Sequence, residues 1–444
     1  MKKLLISLNI FFFSLSLLLT GCDHLPFPWE PGQIASRPVS GQLLADWLGL
    51  QFKLIRTTRN VGAPFLGIHF AYSSIALYES IVHSDPRYRS LGGQLQDLAS
   101  LPAPPKGTTV CWSASANAAL ASMLRAFYGR TPGHTPRIDS LEAVYAEQFA
   151  RAGYSQTAIQ AGTDYGRSVA QAVLEYARTG GSATVHPPYV APVGEGLWEP
   201  TPPSFTPAEF PYWGTNRTFV KGSIADVLPP APPVFSTAPA SAFYAMVKEV
   251  YDVSNQLTKE QERIARYWED VPNGQFFSAQ GHWSSILRAV ITQRKLSLLE
   301  SSVAYAKMSI AMSDASIAAF RAKYTHNLIR PVTYIHRYFK QPTWRSWIIS
   351  PNHPEYPSAH ASLAMAAATA LSEALGSTIS FTDRSYEDVG FPVRNYQSFE
   401  AAAQEAGISR LYAGVNYKPS VEAGQSMGRK TAHNVITRLR FRHY

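Results

Sequence analysis

Residues 357–374 read PSAHASLAMAAATALSEA, and this alanine-rich stretch is the clearest structural signal in the chain. Alanine has the highest intrinsic helix propensity, and its small side chain allows neighbouring helices to pack closely. Ser358 stands where such a helix begins, and serine is a common N-cap residue. The stretch therefore predicts a helix that begins near Ala361 and packs tightly against other helices.

Helical periodicity extends from this stretch in both directions, so that it runs from about residue 240 almost to the end of the chain. Patterns of alternating apolar and polar residues, which are typical of strands, are nearly absent. In the first half, apolar residues recur at spacings of three and four over residues 42–59, 67–83, 111–128, 137–152 and 155–178. We therefore predict an all-α fold of two packed helical bundles.

Prolines are too dense for helix between residues 186 and 239. The same segment carries Trp198, Phe205, Phe210, Tyr212 and Trp213, and a disordered linker would rarely hold so many aromatic residues. The predicted organisation is an N-terminal bundle over residues 41–185, an ordered proline-rich connection over 186–239, and a C-terminal bundle over 240–444.

The first residues indicate export from a bacterial cell. Lys2 and Lys3 precede an apolar run over residues 4–19, which is typical of a secretory signal peptide. The following Leu-Thr-Gly-Cys at residues 19–22 resembles a bacterial lipobox, which implies a signal peptide over residues 1–21 and a lipidated Cys22. Residues 22–40 then form a proline-rich tether, and the exported domain is held at a membrane of the cell envelope. An ordinary signal peptide or membrane anchor is the alternative.

Composition sets further limits on the class of protein. Cys22 and Cys111 are the two cysteines in 444 residues, so a disulfide scaffold is excluded. The formal net charge of +9 suits an anionic ligand or a membrane surface, and a solvated basic surface is an equal alternative. Basic and aromatic residues are not interleaved, so no nucleic-acid partner is predicted. We expect no mature segment apolar enough to span a bilayer, which argues against membrane transport.

Three segments in the second half concentrate side chains that bind oxyanions. Lys323 and Arg330 are seven residues apart, and Pro331 directly after Arg330 would stop or kink a helix. We therefore expect both cations on one helix face near its end. Ser358 and His360 open the alanine-rich helix, where backbone amides and the helix dipole favour an anion. The third segment carries Arg410, a second guanidinium. Each residue alone has an ordinary structural explanation, but together they predict an oxyanion pocket.

The three segments resemble one known signature: Lys-(six residues)-Arg-Pro, Pro-Ser-Gly-His, and Ser-Arg-(three residues)-Gly-(one residue)-His. It belongs to the superfamily of vanadium-dependent haloperoxidases, acid phosphatases and type-2 phosphatidic acid phosphatases. Flanking sequences favour the haloperoxidase-like branch, and the resemblance spans roughly residues 45–435. These flanks are PNHPEYP at residues 351–357, YWG at 212–214, GHW at 281–283 and FAYSSIALY at 70–78.

The resemblance implies a role for each matching residue. Three cations would hold the equatorial oxygens of vanadate or phosphate, and Ser358 with the backbone amide of Ala359 would also donate to them. His360 would act as the acid or base. Ala359 stands where the family has glycine. Its methyl group would narrow the pocket, but its backbone amide is retained. The cations are Lys323, Arg330 and Arg410.

Asn416 is the departure that matters, because the family places a histidine there. That histidine binds vanadium in the peroxidases and attacks phosphorus in the phosphatases. A carboxamide is a weaker ligand and a poor nucleophile. Ser420 stands where some relatives carry an orienting aspartate, with Glu422 as a possible substitute. His326 and His433 are the alternative imidazoles, although neither falls at the required spacing.

Two functions from different classes follow. The first is a pocket that binds vanadate or phosphate while haloperoxidase or phosphatase turnover is impaired by Asn416, as in a pseudoenzyme. The second is an active vanadium-dependent haloperoxidase or acid phosphatase that uses a modified mechanism. The five intact residues of the signature favour activity, and Asn416 favours binding alone. Whether vanadate or no cofactor serves the pocket stays open.

Overall fold

The computed structural model describes residues 39–59 and 61–443, and within these ranges the chain forms thirteen α-helices. Helix accounts for 57% of the structure, which confirms the predicted all-α fold. The helices are α1 (Gln42–Thr57), α2 (Ala63–Ile81), α3 (Trp112–Tyr128), α4 (His134–Arg151), α5 (Gln156–Arg178), α6 (Ala242–Asn255), α7 (Lys259–Tyr267), α8 (Ala279–Arg294), α9 (Leu298–His326), α10 (Pro331–Tyr338), α11 (Ala359–Leu375), α12 (Phe399–Tyr412) and α13 (Lys418–Arg438).

One small sheet accompanies the helices in the described part of the chain. Strands β1 (Phe381–Asp383) and β2 (Arg394–Tyr396) pair antiparallel, with Phe381 opposite Tyr396. The sequence analysis did not predict this hairpin, because strands of three residues are too short to show alternation. The hairpin places Asp383 in the protein interior.

Helix α9 lies at the centre of the fold and is buried along most of its length. Its start is stabilised by a capping box in which Ser297 and Glu300 satisfy each other's backbone N–H groups. Helix α9 contacts α11, α13 and α2, and α2 in turn contacts α3 and α5. One continuous apolar core joins these helices. The boundaries of two separate bundles remain a prediction, and residues 1–38, with Cys22, lie outside the described ranges.

The proline-rich segment is ordered, and part of it is hydrogen-bonded to one buried carboxylate on α9. Asp314 on α9 accepts hydrogen bonds from the backbone N–H groups of Phe219 (2.7 Å) and Val220 (3.1 Å) and from the hydroxyl of Ser223 (2.7 Å). Trp213 is also buried and donates to Ser316 Oγ on the same helix. Part of the segment therefore packs on α9, where Asp314 satisfies the backbone N–H groups of Phe219 and Val220.

Two glycines on α13 allow it to approach α11 closely. A Cβ atom on Gly424 would lie 2.3 Å from the carbonyl oxygen of Ser358, and one on Gly428 would lie 2.0 Å from that of Ser362. Any larger residue would push the helices apart. The close approach brings the start of α13 to the N-terminus of α11, where the predicted site lies.

The expectation that no mature segment could span a bilayer by composition is wrong. Residues Ala63–Ser84, which include α2, are long and apolar enough, but 89% of the apolar window is buried inside the protein. A helix that is surrounded by other helices is apolar on every face, so its composition resembles that of a membrane span.

Candidate functional site

A cavity of about 370 Å³ opens beside the N-terminus of α11. It brings together residues that are far apart in the sequence and come from all three predicted segments. The predicted residues that line it are Lys323, Arg330, Ala359, His360, Arg410 and Asn416. Ser358 is fully buried directly behind this lining. Ala359 is the first residue of α11, where an ordinary helical conformation suffices and glycine is not needed.

Lys323 and Arg330 converge, but not on one helix face as the spacing suggested. Helix α9 ends at His326, and Asn327 caps it in the left-handed conformation with φ 48°. Arg330 has an extended backbone and is the N-cap of α10. The prediction of a shared face is wrong because Pro331 disfavours the helical conformation at the preceding residue. The turn after α9 returns Arg330 to the same cavity.

Backbone carbonyl oxygens hold the first two cations in place. Lys323 Nζ donates to the carbonyl oxygens of Pro354 (2.7 Å) and Glu355 (2.9 Å). Arg330 Nε donates to His353 O (2.9 Å), and its Nη1 donates to Val415 O (2.8 Å). These bonds leave further N–H groups on both side chains, and both residues line the cavity.

Arg410 reaches the cavity from the last turn of α12. Its Nε donates to Ser409 Oγ (3.1 Å), and its Nη2 donates to the carbonyl oxygen of Trp268. The guanidinium is therefore fixed by its own neighbour and by the residue after α7. A second turn follows at Gly414, which has φ 76° and packs on the ring of Trp344. This turn directs Asn416 back into the cavity.

Burial makes all three cations unfavourable in the absence of a compensating charge. It lowers the pKa of Lys323 well below its ordinary value, and nearby Arg330 lowers it further. Burial also lowers the pKa values of Arg330 and Arg410 to about 10 each. An anion between these groups would restore favourable electrostatics, because opposite charges at close range stabilise the ionised form. The site is therefore electrostatically suited to a tetrahedral oxyanion.

Glu355 is a functional residue that the sequence analysis missed. Its carboxyl group is fully buried. Oε1 accepts hydrogen bonds from Asn416 Nδ2 (2.7 Å) and the backbone N–H of Tyr417 (2.9 Å), and Oε2 accepts one from Ser420 Oγ (2.6 Å). Burial raises the pKa of Glu355, while the charge of Arg330 opposes that rise. Three donors directed at one carboxyl group are the arrangement expected for a carboxylate.

The orientation of the Asn416 amide follows from Glu355. Nδ2 faces two acceptors, the carbonyl oxygen (3.1 Å) and Oε1 of Glu355, so it must be the amide nitrogen. Oδ1 then accepts from Ser358 Oγ (3.3 Å). Ser358 is also the N-cap of α11 and accepts from the backbone N–H of Ala361. The hydroxyl proton of Ser358 is therefore directed at Asn416 in this structure.

The alternatives suggested for the missing imidazole do not reach the site. Glu422 is exposed on α13, and its suggested orienting role falls to Glu355, helped by Ser420. His433 is exposed near the end of the same helix. His326 packs against the ring of Tyr356, with 5.3 Å between ring centroids. Neither histidine lines the cavity.

His360 lies at the cavity wall with a buried carboxylate behind it. Its Nε2 is 2.7 Å from Asp270 Oδ2, and its Nδ1 is buried without a hydrogen-bond partner among the described residues. Burial lowers the pKa of His360 to about 4, and the charge of Arg410 adds to this effect. His360 is therefore neutral near pH 7. Asp270 was not predicted, because it lies 90 residues from His360 in a loop without a recognisable pattern.

These residues fit an oxyanion but not a metal bonded to a nitrogen of residue 416. Cationic donors and the N-terminus of α11 surround the cavity. The Asn416 amide nitrogen has no lone pair available for a metal, and it is already bonded to Glu355. The described residues also contain no group of three or more His, Cys, Asp or Glu residues arranged to hold a metal ion. The site suits phosphate, or vanadate held by its oxygens.

Replacement of Glu355 by glutamine tests its role as a buried counter-ion. Glu355→Gln preserves shape and can still accept from Asn416 and Tyr417, but it leaves Lys323 and Arg330 without that charge. We expect the free energy of unfolding to fall by roughly 3–5 kcal/mol. Added phosphate should restore more stability to the variant than to the parent protein.

Urea unfolding with and without phosphate measures both effects. Glu422→Gln is the matched control, because Glu422 is exposed on α13 and its replacement should leave stability unchanged. Equal stability of Glu355→Gln and the parent would contradict the presence of an ionised carboxylate at this position.

Comparisons with known proteins bear on the fold and on the family of this chain. Residues 303–443 match the family model described as the VCPO second helical-bundle domain. The structure of the first bacterial vanadium-dependent iodoperoxidase is similar, with 30% sequence identity and a TM-score of 0.83. That match covers 94% of this chain and 99% of the iodoperoxidase chain. Comparison with curated proteins gives no match.

Two further structures share the fold at lower identity. The holo form of a bacterial vanadium-dependent chloroperoxidase has 14% identity and a TM-score of 0.63, covering 85% of this chain and 92% of its own. The apo form of a bacterial vanadium-dependent chloroperoxidase has 15% identity and a TM-score of 0.64, with coverage of 85% and 93%. Their likeness supports the fold, and the iodoperoxidase match supports the family. The chain belongs to the vanadium haloperoxidase superfamily.

Proposed function

We propose that the cavity binds phosphate or vanadate, and that haloperoxidase or phosphatase turnover by the family route is absent or strongly reduced. The observation that carries this proposal is the position of Asn416. Its amide nitrogen donates to Glu355 and its oxygen accepts from Ser358. Neither atom can supply the imidazole nitrogen that the family mechanism requires.

Binding itself does not need that nitrogen. Lys323, Arg330 and Arg410 supply charge-assisted hydrogen bonds, which are roughly twice as strong as neutral ones. The backbone N–H groups at the start of α11 add further donors. All three cations are buried, so salt should weaken their attraction for an anion less than it would at an exposed site. In a haloperoxidase, bound vanadate supplies the centre at which peroxide is activated for halide oxidation.

The second candidate is an active enzyme with a modified mechanism, and the intact pair of His360 and Asp270 favours it. Neutral His360 can accept a proton at Nδ1, the nitrogen without a partner. In direct hydrolysis, Nδ1 would take a proton from water as the water oxygen bonds to phosphorus. The bond from phosphorus to the leaving oxygen would break in the same step. No covalent intermediate at residue 416 would be needed.

Titration of residues 39–444 with phosphate and with vanadate is the direct test of binding. Arg410→Ala removes a charge-assisted donor, so affinity for either anion should fall roughly tenfold or more in isothermal titration calorimetry. Arg178→Ala, on the exposed face of α5, is the control and should bind as the parent does. Equal binding by the parent and Arg410→Ala would place the anion elsewhere.

Asn416→His tests the loss of the family mechanism. Glu355 Oε1 already holds the Asn416 amide nitrogen at 2.7 Å, so it can hold an imidazole N–H in the same place. With vanadate, peroxide oxidation of halide should rise about tenfold or more over the parent, as each added ~1.4 kcal/mol of transition-state stabilisation gives tenfold. Phosphatase activity without vanadate is the parallel assay.

Asn416→Ala is the matched control and should show no gain in either assay. If the parent turns over at rates typical of enzymes, roughly 1–10³ s⁻¹, and Asn416→His adds nothing, the proposed impairment is wrong. The direct mechanism at His360 would then be favoured.

We also propose that Cys22 carries lipid and holds the exported domain at a bacterial membrane. The support is the pattern of Lys2, Lys3, the apolar run over residues 4–19 and Leu-Thr-Gly-Cys. Cys22→Ser should abolish incorporation of labelled palmitate and release the protein from the membrane fraction. Absence of label from the parent protein would refute lipidation.

A further inference from the structure

Behind His360 lies a buried row of titratable groups that extends away from the cavity. Asp270 Oδ2 faces His360 Nε2, and Asp270 Oδ1 lies 2.7 Å from His282 Nδ1. His282 Nε2 lies 2.8 Å from Asp383 Oδ2. The side chains of Asp270, His282 and Asp383 are all fully buried. None of these three residues belongs to the predicted signature.

The hydrogen-bond geometry determines the charge of His282. A neutral imidazole has one N–H group and one nitrogen lone pair, so one nitrogen would direct a lone pair at a carboxylate oxygen. The pKa values of Asp270 and Asp383 are both lowered, so both carboxyl groups are ionised and can only accept. Both nitrogens must therefore donate, and His282 is an imidazolium. Burial alone would lower its pKa, but Asp270 and Asp383 together outweigh burial and raise it to about 10.

The other groups around His282 are compatible with this charge. Trp268 stacks on the imidazole ring at 4.3 Å, and the rings of Tyr267 and Tyr386 lie at 5.5 and 4.7 Å. Burial raises the pKa values of both tyrosines, and nearby Asp270 or Asp383 raises them further, so they remain neutral. Tyr386 donates to Asp270 Oδ1 (2.8 Å). The charges that face His282 at hydrogen-bond distance are thus the two carboxylates.

The second carboxylate has its own fixed donors. Asp383 Oδ1 accepts from the backbone N–H (2.9 Å) and hydroxyl (2.6 Å) of Ser385, at the end of β1. Burial raises the pKa of Asp383, but His282 and Ser385 outweigh it, so the net shift is downward. The small hairpin therefore supplies an ionised carboxylate whose partners are His282 and its own turn.

We propose that His282 is a positioning residue, which stays protonated between Asp270 and Asp383 and thereby keeps the proton of His360 on Nε2. Asp270 Oδ1 is occupied by His282 and Tyr386, so Oδ2 is directed at His360. The positive charge of His282 offsets the negative charge of Asp270, and it adds to burial and to the charge of Arg410, which lower the pKa of His360. The lone pair of Nδ1 is left for the cavity. The inference rests on the proposed function only for the role of His360 at the anion.

Nitrogen-15 NMR of histidine-labelled protein tests these protonation states without any anion. In the parent, both nitrogens of His282 should have imidazolium shifts at pH 7, and His360 should be neutral with its proton on Nε2. The two residues are assigned in the parent by through-bond correlations from each imidazole to its own backbone signals. A failure of phosphate binding would leave this experiment unaffected, so the inference and the proposed function can fail separately.

His282→Gln removes the charge but retains a side chain that can donate to one carboxylate. Asp270 then acts on His360 without an opposing charge, so the pKa of His360 should rise by roughly one unit or more. His134→Gln is the matched control, because His134 is a buried histidine bonded to Tyr128 O (3.1 Å) and Thr57 Oγ1 (2.8 Å) far from the cavity. It should alter stability alone and leave the titration of His360 unchanged.

Two results would overturn the proposal. One is a neutral His282 in the parent at pH 7, which needs no variant and decides the question even if His282→Gln does not fold. The other is a folded His282→Gln protein in which His360 titrates as in the parent. A merely structural role for His282 predicts that second result.

Discussion

The carboxylate of Glu355 is the interaction on which the site depends. It accepts hydrogen bonds from the side-chain amide of Asn416, the backbone N–H of Tyr417 and the hydroxyl of Ser420, and these bonds fix the start of α13. Its own backbone N–H bonds to Leu328 O, in the turn after α9. One residue thereby ties together the three segments that carry the oxyanion donors. An unpartnered carboxylate at this depth would be costly, so the three segments must assemble together.

Charge balance explains why such an assembly favours an anion. Glu355 offsets part of the charge of Lys323 and Arg330, while Arg410 is held mainly by carbonyl oxygens and a hydroxyl. The three cations have lowered pKa values because burial removes their hydration. Hydrogen bonds to backbone carbonyl oxygens hold the cations in place. The free energy of folding therefore offsets the unfavourable burial of these charges. The proposed oxyanion would meet donors that are already oriented.

Under the proposed function, Asn416 permits anion binding but cannot form the bond that the family histidine forms with vanadium or phosphorus. The amide occupies the place of an imidazole and satisfies Glu355 and Ser358, so the structure around it is complete. His360 likewise has a fixed partner in Asp270, and His282 contacts the other oxygen of that carboxyl group. The proposed function thus rests on a pocket whose polar side chains remain paired although residue 416 is not a histidine.

The sequence by itself determined the helical fold, because periodicity and alanine content act locally along each helix. It also predicted a set of candidate oxyanion donors, since Lys323, Arg330, Ser358, His360 and Arg410 stand in a recognisable order. Only the tertiary structure decided which buried carboxylates form hydrogen bonds with these residues or with their neighbours. Asp270 and Asp383 lie in irregular segments or a three-residue strand, and Glu355 lies among prolines, where no periodicity marks a buried acid. Most of their contacts join residues 61 to 116 positions apart, and contacts at such separations leave no local pattern in the chain.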